Sequence, residues 1–266
     1  MKRKIAVLIA ILTFFALIFC GCGETKVATL SDGNTTGVNS ESEQTTEADE
    51  IISAVAENTD YEKAFAYILN GISEYINSGA QDTEGYDELP GISGISEIAI
   101  GGETDLSKSI GYAITDISGD GIPELLIGFI DNPDEENTGS IIYTLYSYND
   151  GNPTSLFDGY YRSCYRYTGN GTFAYTGSGG AAYSAAAKYT LSEDGKALNC
   201  NDYYFTDFDT DNAEDIVLYY NTTGESDKSV SEKCSSVDIL NDFQDEILSG
   251  VTPIELTPFA DYNISD

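Results

Sequence analysis

The chain has 266 residues, of which 45 are acidic and 12 are basic, so its formal net charge is −33. Because binding to nucleic acid requires a basic surface, this charge excludes nucleic acid as a partner and favours cations where carboxylates converge. The absence of histidine excludes Ser-His-Asp and Cys-His catalysis and the usual zinc and iron ligand sets. Enzyme chemistry is thereby confined to carboxylates, tyrosine, lysine or an oxygen-ligated metal.

The first residues have the pattern of a secretory leader. Lys2, Arg3 and Lys4 precede an uncharged stretch over residues 5–19, and small residues then surround two cysteines in "FCGCG". This stretch is shorter than the roughly 20 residues that a membrane-spanning helix needs. Residues 1–22 are therefore predicted to be a signal peptide and not a membrane span.

The two cysteines at the end of this leader resemble the lipobox of bacterial lipoproteins. The resemblance implies cleavage before a cysteine that carries a diacylglycerol, and hence an extracytoplasmic protein anchored to the cell membrane by acyl chains. Cys22 fits better than Cys20 because Gly21 precedes it, whereas the bulky Phe19 precedes Cys20. Phe19 also stands three residues before Cys22, where Leu is usual, so the choice of cysteine stays open.

A polar segment separates the leader from the folded part. Residues 23–46 consist largely of Ser, Thr, Gly, Asn and Glu, a composition too polar to bury a core, and we expect a flexible tether. Residues 47–58 are compatible with a short helix. A single domain is predicted over residues 59–266.

The domain begins with a predicted amphipathic helix. Thr59 and Glu62 have the spacing of a capping box, and Gly79 ends the helical pattern. The apolar residues recur at helical spacing. They are Tyr61, Phe65, Ile68, Leu69, Ile72, Tyr75 and Ile76.

From Ile110 onward, short apolar and aromatic runs alternate with hairpin-type turns such as "NDGNP", "TGNGT" and "SEDGK". This pattern predicts an antiparallel β meander. A second amphipathic helix follows, ending at Gly250, and a tail, "TPIELTPFADY", is predicted to be extended. The apolar residues of this helix are Val237, Leu240, Phe243, Ile247 and Leu248. The predicted fold class is α+β, with the meander flanked by an N-terminal and a C-terminal amphipathic helix.

Between two predicted strands, the stretch "DISGDGIPEL" places oxygen ligands at the spacing of a calcium loop. Acids or a hydroxyl occupy positions 1, 3, 5 and 9, and Gly121 occupies position 6. An EF-hand also needs a glutamate at position 12, where this chain has Ile127. The predicted ligands are the side chains of Asp116, Ser118, Asp120 and Glu124 and the carbonyl of Ile122. The alternative is an Asx turn without metal.

This loop resembles the calcium loop of FG-GAP repeats, a D-x-D-x-D-G-x-x-D-L pattern between the strands of integrin-type propellers. Ser118 and Glu124 depart from that pattern. Together with "GSGGAAYSAAAKYTL", the loop also resembles segments of uncharacterised lipoproteins of Gram-positive anaerobes, a likeness that implies no activity. A whole propeller is not expected, because its blades of about 40 to 50 residues would require more such loops.

A second stretch, "DFDTDNAEDI", repeats the ligand spacing, with Asn212 at the glycine position. Asn is the residue that next best tolerates a positive φ. The predicted ligands are Asp207, Asp209, Asp211 and Asp215. A solvated acidic loop is the alternative, because a chain this acidic forms such clusters by chance.

The chain has twenty tyrosines, many of them in the meander. Tyrosine offers a flat apolar face and a hydroxyl, which suits glycans and peptides, although it also fills half-buried positions in sheets. The clustered residues are Tyr143, Tyr146, Tyr148, Tyr160, Tyr161, Tyr165, Tyr167 and Tyr175. We attribute the glycines of "TGSGGAAYS" to tight packing between strands, since the strand-loop-helix setting of a phosphate loop is missing.

Two functional interpretations follow. The first is a non-catalytic surface module, tethered and stabilised by calcium, that binds a glycan, peptide or protein outside the cell. The second is an extracellular hydrolase such as a glycosidase, which requires two carboxylates roughly 5 to 10 Å apart. A cleft with two acids would favour the hydrolase, and an accessible tyrosine face would favour binding.

Overall fold

The computed structural model describes residues 60–80, 83–86, 88–100, 104–212 and 214–263. The predicted leader, the lipidation site at Cys22, the tether and the helix over 47–58 lie outside the described residues. The compact unit that contains the described residues runs from Thr45 to Asp266.

Five α-helices occur in the described part of the chain. They are α1 (Tyr61–Ala64), α2 (Ala66–Asn77), α3 (Ile92–Ile100), α4 (Leu106–Ser109) and α5 (Asp238–Ser249). The first begins after Asp60, whose side chain accepts a hydrogen bond of 3.2 Å from the backbone N–H of Lys63. Asp60 therefore takes the capping role predicted for Thr59, because a carboxylate at this position satisfies a free N–H of the first turn.

The strands follow largely where the apolar runs predict them. They are β1 (Ile110–Thr115), β2 (Glu124–Phe129), β3 (Thr138–Gly139), β4 (Ile141–Asn149), β5 (Asn152–Asp158), β6 (Ser163–Gly169), β7 (Thr172–Gly180), β8 (Tyr183–Leu191), β9 (Leu198–Phe208), β10 (Ile216–Asn221), β11 (Glu232–Lys233), β12 (Ile254–Glu255) and β13 (Thr257–Pro258).

One large sheet organises the domain. Its eleven strands lie in the order β11-β10-β9-β8-β7-β6-β4-β2-β1-β13, with β5 paired to β4 off this path. The pairings are antiparallel. A mostly antiparallel sheet with a few helices confirms the α+β class.

The turn between β4 and β5 shows how the sequence sets these hairpins. Asp150 and Gly151 have φ of 48° and 87°, the left-handed pair that a two-residue turn needs to match the twist of its strands. The "NDGNP" stretch therefore forms the predicted hairpin.

The helices lie on one face of the sheet. Directly paired residues share a face, and the register Phe129↔Ile141↔Arg166↔Ala174 runs across it from β2 to β7. Phe129 and Ile141 pack against the core formed with α1 to α4, whereas Ala174 packs with Leu240 and Ile247 of α5. Val237 and Leu248, at the ends of the predicted second helix, are exposed.

The opposite face closes on itself. In strand order β2 and β8 are four steps apart, which would separate them by about 19 Å in a flat sheet. Nevertheless Leu126 of β2 and Leu191 of β8 belong to one buried cluster with Leu145 and Phe173. The sheet must therefore curl, with this cluster inside the curl.

The C-terminal tail forms two short strands, of which β12 pairs with β3 in a separate two-stranded sheet and β13 joins the edge of the large sheet. Ile254 pairs with Gly139, and Pro258 pairs with Gly111 at the edge of β1. Beyond them, the hydroxyl of Tyr262 donates a hydrogen bond of 2.7 Å to Oδ1 of Asn70 in α2. The tail thus joins the helical layer to the edge of the sheet.

We expect Ile72→Ala to lower the free energy of unfolding by about 2 to 5 kcal/mol. Ile72 lies on the face of α2 that packs into the core, where it is fully buried, so its truncation leaves a cavity. Tyr67 lies in the same helix and is 75% exposed, so Tyr67→Ala should change the free energy of unfolding by less than about 0.5 kcal/mol. Urea unfolding measures both. Equal costs would show that α2 does not bury this face.

Candidate functional site

The acidic loop of residues 116–123 connects β1 to β2, whose last pair is Thr115 with Glu124. Asp116 organises the loop. Its Oδ1 accepts hydrogen bonds from the N–H of Gly119 at 2.7 Å and from the hydroxyl of Ser118 at 3.2 Å, and its Oδ2 accepts from the N–H of Gly121 at 2.9 Å. Both glycines have φ of 86°. The loop therefore winds around the carboxylate of its first residue.

Asp120 and Glu124 each use one carboxylate oxygen to hold the backbone. Oδ1 of Asp120 accepts from the N–H of Ile122 at 2.7 Å. Oε2 of Glu124 accepts from the N–H groups of Ile117 at 2.9 Å and Ser118 at 3.4 Å. Glu124 is only 2% exposed, so this carboxylate is a buried support of the loop.

The other oxygens converge beside Gly195, in the turn between β8 and β9. A Cβ built on Gly195 would lie 2.5 Å from Oε1 of Glu124, 3.4 Å from Oγ of Ser118 and 3.5 Å from Oδ2 of Asp120. Three of the five predicted ligands thus surround one point. The sequence predicts "SEDGK" as a hairpin turn but does not predict that its glycine faces the acidic loop, because that contact depends on the curl of the sheet.

These oxygens are the kind of donors that calcium takes. Calcium binds six to eight oxygens from carboxylates, hydroxyls, carbonyls and water, and the set here has two carboxylates and one hydroxyl close together, with Ile122 in the same loop. No group of three His, Cys, Asp or Glu side chains that could hold a metal occurs among the described residues. Asp116, Asp120 and Glu124 therefore do not form such a group, and only Asp120 and Glu124 converge beside Gly195.

Burial makes Glu124 a weaker acid than an exposed glutamate. Loss of solvent raises its pKa to about 7, and the nearby charge of Asp120 adds to the rise, whereas the hydrogen bonds from Ile117 and Ser118 oppose it. A cation between these oxygens would reverse the effect, because an opposite charge favours the ionised carboxylate. The loop therefore has a physical reason to attract a cation.

The second acidic loop connects β9 to β10 and has lysine partners. Oδ2 of Asp207 lies 3.1 Å from Nζ of Lys228, and Oδ2 of Asp209 lies 2.6 Å from Nζ of Lys233. Two of the four predicted ligands are thus paired with ammonium groups that a metal would have to displace.

The remaining residues of this second loop form a turn. The N–H of Asp209 donates to the carbonyl of Asp215 at 2.7 Å, and Oδ2 of Asp215 accepts from Nδ2 of Asn212 at 2.8 Å. Oδ1 of Asp209 accepts from the N–H of Asp211 at 3.2 Å. These bonds close the turn between β9 and β10.

A cavity of about 250 Å³ opens over β7, β8 and β9. Tyr160, Tyr175, Tyr183 and Tyr203 line it, and Arg162, Asp207 and Ser226 also belong to its wall. Tyr160 and Tyr183 are 40% and 46% exposed. The cavity thus combines accessible aromatic faces with groups that donate and accept hydrogen bonds.

The glycines of "TGSGGAAYS" shape this cavity. A Cβ at Gly177 would collide with the hydroxyl of Tyr175, and one at Gly179 would lie 3.2 Å from Cβ of Tyr183. Gly177 and Gly179 both line the cavity. They give room to tyrosine rings, in addition to the close strand packing that the sequence suggests.

The other predicted tyrosines mostly fill the core. Tyr143 and Tyr146 are 7% and 4% exposed, and Tyr165 stacks on Phe157 with ring centroids 4.0 Å apart. Tyr148 packs edge-on against Tyr61. The accessible tyrosines are therefore a small part of the predicted cluster.

A second, more apolar cavity of about 360 Å³ lies between α3 and the sheet. Ile98, Tyr143, Tyr161 and Cys164 line it, and Oε2 of its acid, Glu97, accepts a hydrogen bond of 2.6 Å from the N–H of Tyr161. Burial raises the pKa of Cys164, so its thiol is not activated as a nucleophile.

Comparison of the chain with family models, with curated proteins and with solved structures gives no match. Within the described residues, no helix has the length and apolar character needed to cross a membrane.

With chelator present, we expect Glu124 to make the protein less stable as pH rises. The pKa of Glu124 is raised from 4.5 to about 7 on folding, so the protonated form stabilises the folded state below pH 4.5 and this stability is lost as pH rises through 7. The loss between pH 5 and pH 8 should be roughly 2 kcal/mol. Urea unfolding of the native protein and of Glu124→Gln measures it. The same slope in both proteins would contradict the assignment.

Gly195→Ala should cost at least about 1 kcal/mol more than Gly151→Ala, because the added methyl meets the buried Glu124 carboxylate. Both glycines have a positive φ, but the space beside Gly151 is open within 4 Å, so the second variant reports only backbone strain. Thermal melts compare the two. Equal costs would show that the turn does not press against the acidic loop.

Proposed function

We propose that the chain is a membrane-anchored extracytoplasmic lipoprotein with a calcium-stabilised, non-catalytic binding domain. The observation that carries the proposal is the convergence of Ser118 Oγ, Asp120 Oδ2 and Glu124 Oε1 beside Gly195. The ion would be held by the loop residues Asp116, Ser118, Asp120, Ile122 and Glu124. The N-terminal and C-terminal amphipathic helices serve as the flanks of this domain.

Calcium would stabilise the domain by neutralising the carboxylates where the acidic loop contacts the β8–β9 turn. Two carboxylates from the β1–β2 loop face the β8–β9 turn in a setting where Glu124 is almost fully buried. Without a cation, ionising both carboxylates is unfavourable at such short separation. An ion between them would remove this repulsion and hold the acidic loop beside the β8–β9 turn.

The likeness to FG-GAP calcium loops supports the same proposal and is confined to the loop. The predicted leader, lipobox and tether supply the extracytoplasmic setting, with the membrane as partner through a lipid anchor at Cys22. Calcium sites of this kind suit that setting because calcium is abundant there, and loops with few charged ligands bind it at about 10⁻⁴ to 10⁻³ M in extracellular modules.

The cavities favour binding over hydrolysis. A glycosidase uses two carboxylates that flank its substrate, whereas each of the four described cavities is lined by one acid: Glu97, Asp207, Glu246 or Asp105. Asp207 is moreover paired with Lys228. The tyrosine-lined cavity instead offers the surface of a binding site for a glycan, peptide or protein.

Thermal melts of the compact unit Thr45–Asp266 with calcium, with magnesium and with chelator test the metal proposal. Calcium at a hundred times its dissociation constant should add about 2.7 kcal/mol and raise the midpoint by several degrees. Asp120→Asn should abolish the rise, because it removes a charge from the converging oxygens but keeps an acceptor for the N–H of Ile122.

Asp134→Asn is the matched control, because it removes the same charge from an exposed position elsewhere and should keep the full calcium shift. Asp211→Asn shows whether the second loop contributes. A midpoint that calcium leaves unchanged, or a shift that survives Asp120→Asn, would disprove the calcium site.

A further inference from the structure

We propose that the tyrosine-lined cavity over β7, β8 and β9 binds one ring of a neutral saccharide. This inference rests on the proposed binding function and names its ligand and its site. The juxtaposition that carries it is two accessible tyrosine rings, Tyr160 and Tyr183, beside the hydroxyl of Ser226 and the charged groups of Arg162 and Asp207.

The aromatic walls provide faces for the C–H groups of a sugar ring. Tyr183 packs edge-on against Phe208 with centroids 5.9 Å apart. Tyr175 and Tyr203 lie deeper, with their rings nearly parallel at 20° and centroids 6.5 Å apart. Rings that are already fixed lose little conformational entropy on binding, so they suit a ligand held by weak contacts.

The polar groups match the hydroxyls of a sugar. A serine or threonine hydroxyl both donates and accepts, and an arginine donates from a planar fork. Ser226 lines the cavity, and its hydroxyl lies 2.9 Å from the hydroxyl of Tyr203. Sugar hydroxyls also donate and accept, so this lining can satisfy both kinds of bond.

The size and strand pairing favour a sugar ring over a peptide. At about 250 Å³ the cavity is smaller than the roughly 300 to 1,000 Å³ typical for a drug-sized ligand. Its floor consists of β7, β8 and β9, which pair with one another, as in Gly177↔Ala185 and Ala185↔Phe205. An extended peptide therefore finds no free strand edge there to pair with.

The charges favour a neutral ligand. The chain carries a net charge of −33, which repels an anionic polymer before it reaches the site. Inside the cavity Asp207 is balanced by Lys228 at 3.1 Å, and Arg162 takes part in no ion pair with any residue that the structure describes. Arg162 is therefore available to donate to sugar hydroxyl or ring oxygens.

Affinity electrophoresis of the protein tests this proposal. Native gels would contain soluble neutral polymers of glucose, xylose, mannose, galactose or N-acetylglucosamine, with polygalacturonate as the anionic comparison. We expect at least one neutral polymer to retard the protein. Tyr160→Ala and Tyr183→Ala should each weaken that binding about tenfold, because each removes one aromatic face.

Tyr161→Ala is the matched control. Tyr161 neighbours Tyr160 in the chain and is 79% exposed, but it lines the cavity beside α3, so its loss should leave retardation unchanged. Circular dichroism confirms that each variant folds. The proposal fails if no neutral polymer retards the protein, if polygalacturonate alone does so, or if both Tyr160→Ala and Tyr183→Ala bind like the native protein.

Gels run with calcium and with chelator separate this inference from the proposed function. If calcium raises the melting midpoint but no polymer retards the protein, the calcium site is supported and the saccharide site is disproved. Retardation without any calcium effect on the melt supports the saccharide site and removes the calcium proposal.

Discussion

The contact between the acidic loop and the β8–β9 turn is the constraint on which the curled sheet depends. Glu124, at the start of β2, must lie beside Gly195 although three strands separate their positions in the sheet. The closure buries the apolar cluster around Leu126 and Phe173, and it also forces a carboxylate out of water. Burial stabilises the fold through the apolar residues and at the same point raises the pKa of the Glu124 carboxyl to about 7.

The two faces of the curled sheet differ in their packing. On the helix-covered face, apolar residues such as Ile127 and Ile72 form a packed core. On the other face, large aromatic residues continue from that closed interior towards β9 and β10, where Tyr203 and Phe205 support the open cavity. A rigid, aromatic floor follows from the same alternation that buries the core, because neighbouring residues of a strand point to opposite faces.

Local features of this fold could be predicted from the sequence, and features that depend on distant contacts could not. The "NDGNP" hairpin, the oxygen spacing at residues 116–124 and the α+β class depend on neighbouring residues. The approach of Gly195 to Glu124 depends on curvature, which no local pattern encodes. Lys228 and Lys233 pair with Asp207 and Asp209 from 21 to 24 positions away, so the sequence alone shows an acidic run and conceals its partners. The sequence also does not predict the helix α3, because this helix is short and flanked by glycines.

The strands at both ends of the large sheet are short, which affects whether the sheet can pair with that of another copy. The strand at one end is Glu232–Lys233 and that at the other is Thr257–Pro258. Sheet edges are templates for aggregation because they expose unpaired backbone groups, and charged residues and proline block such pairing. At these two borders, charge and proline therefore oppose pairing with an identical copy.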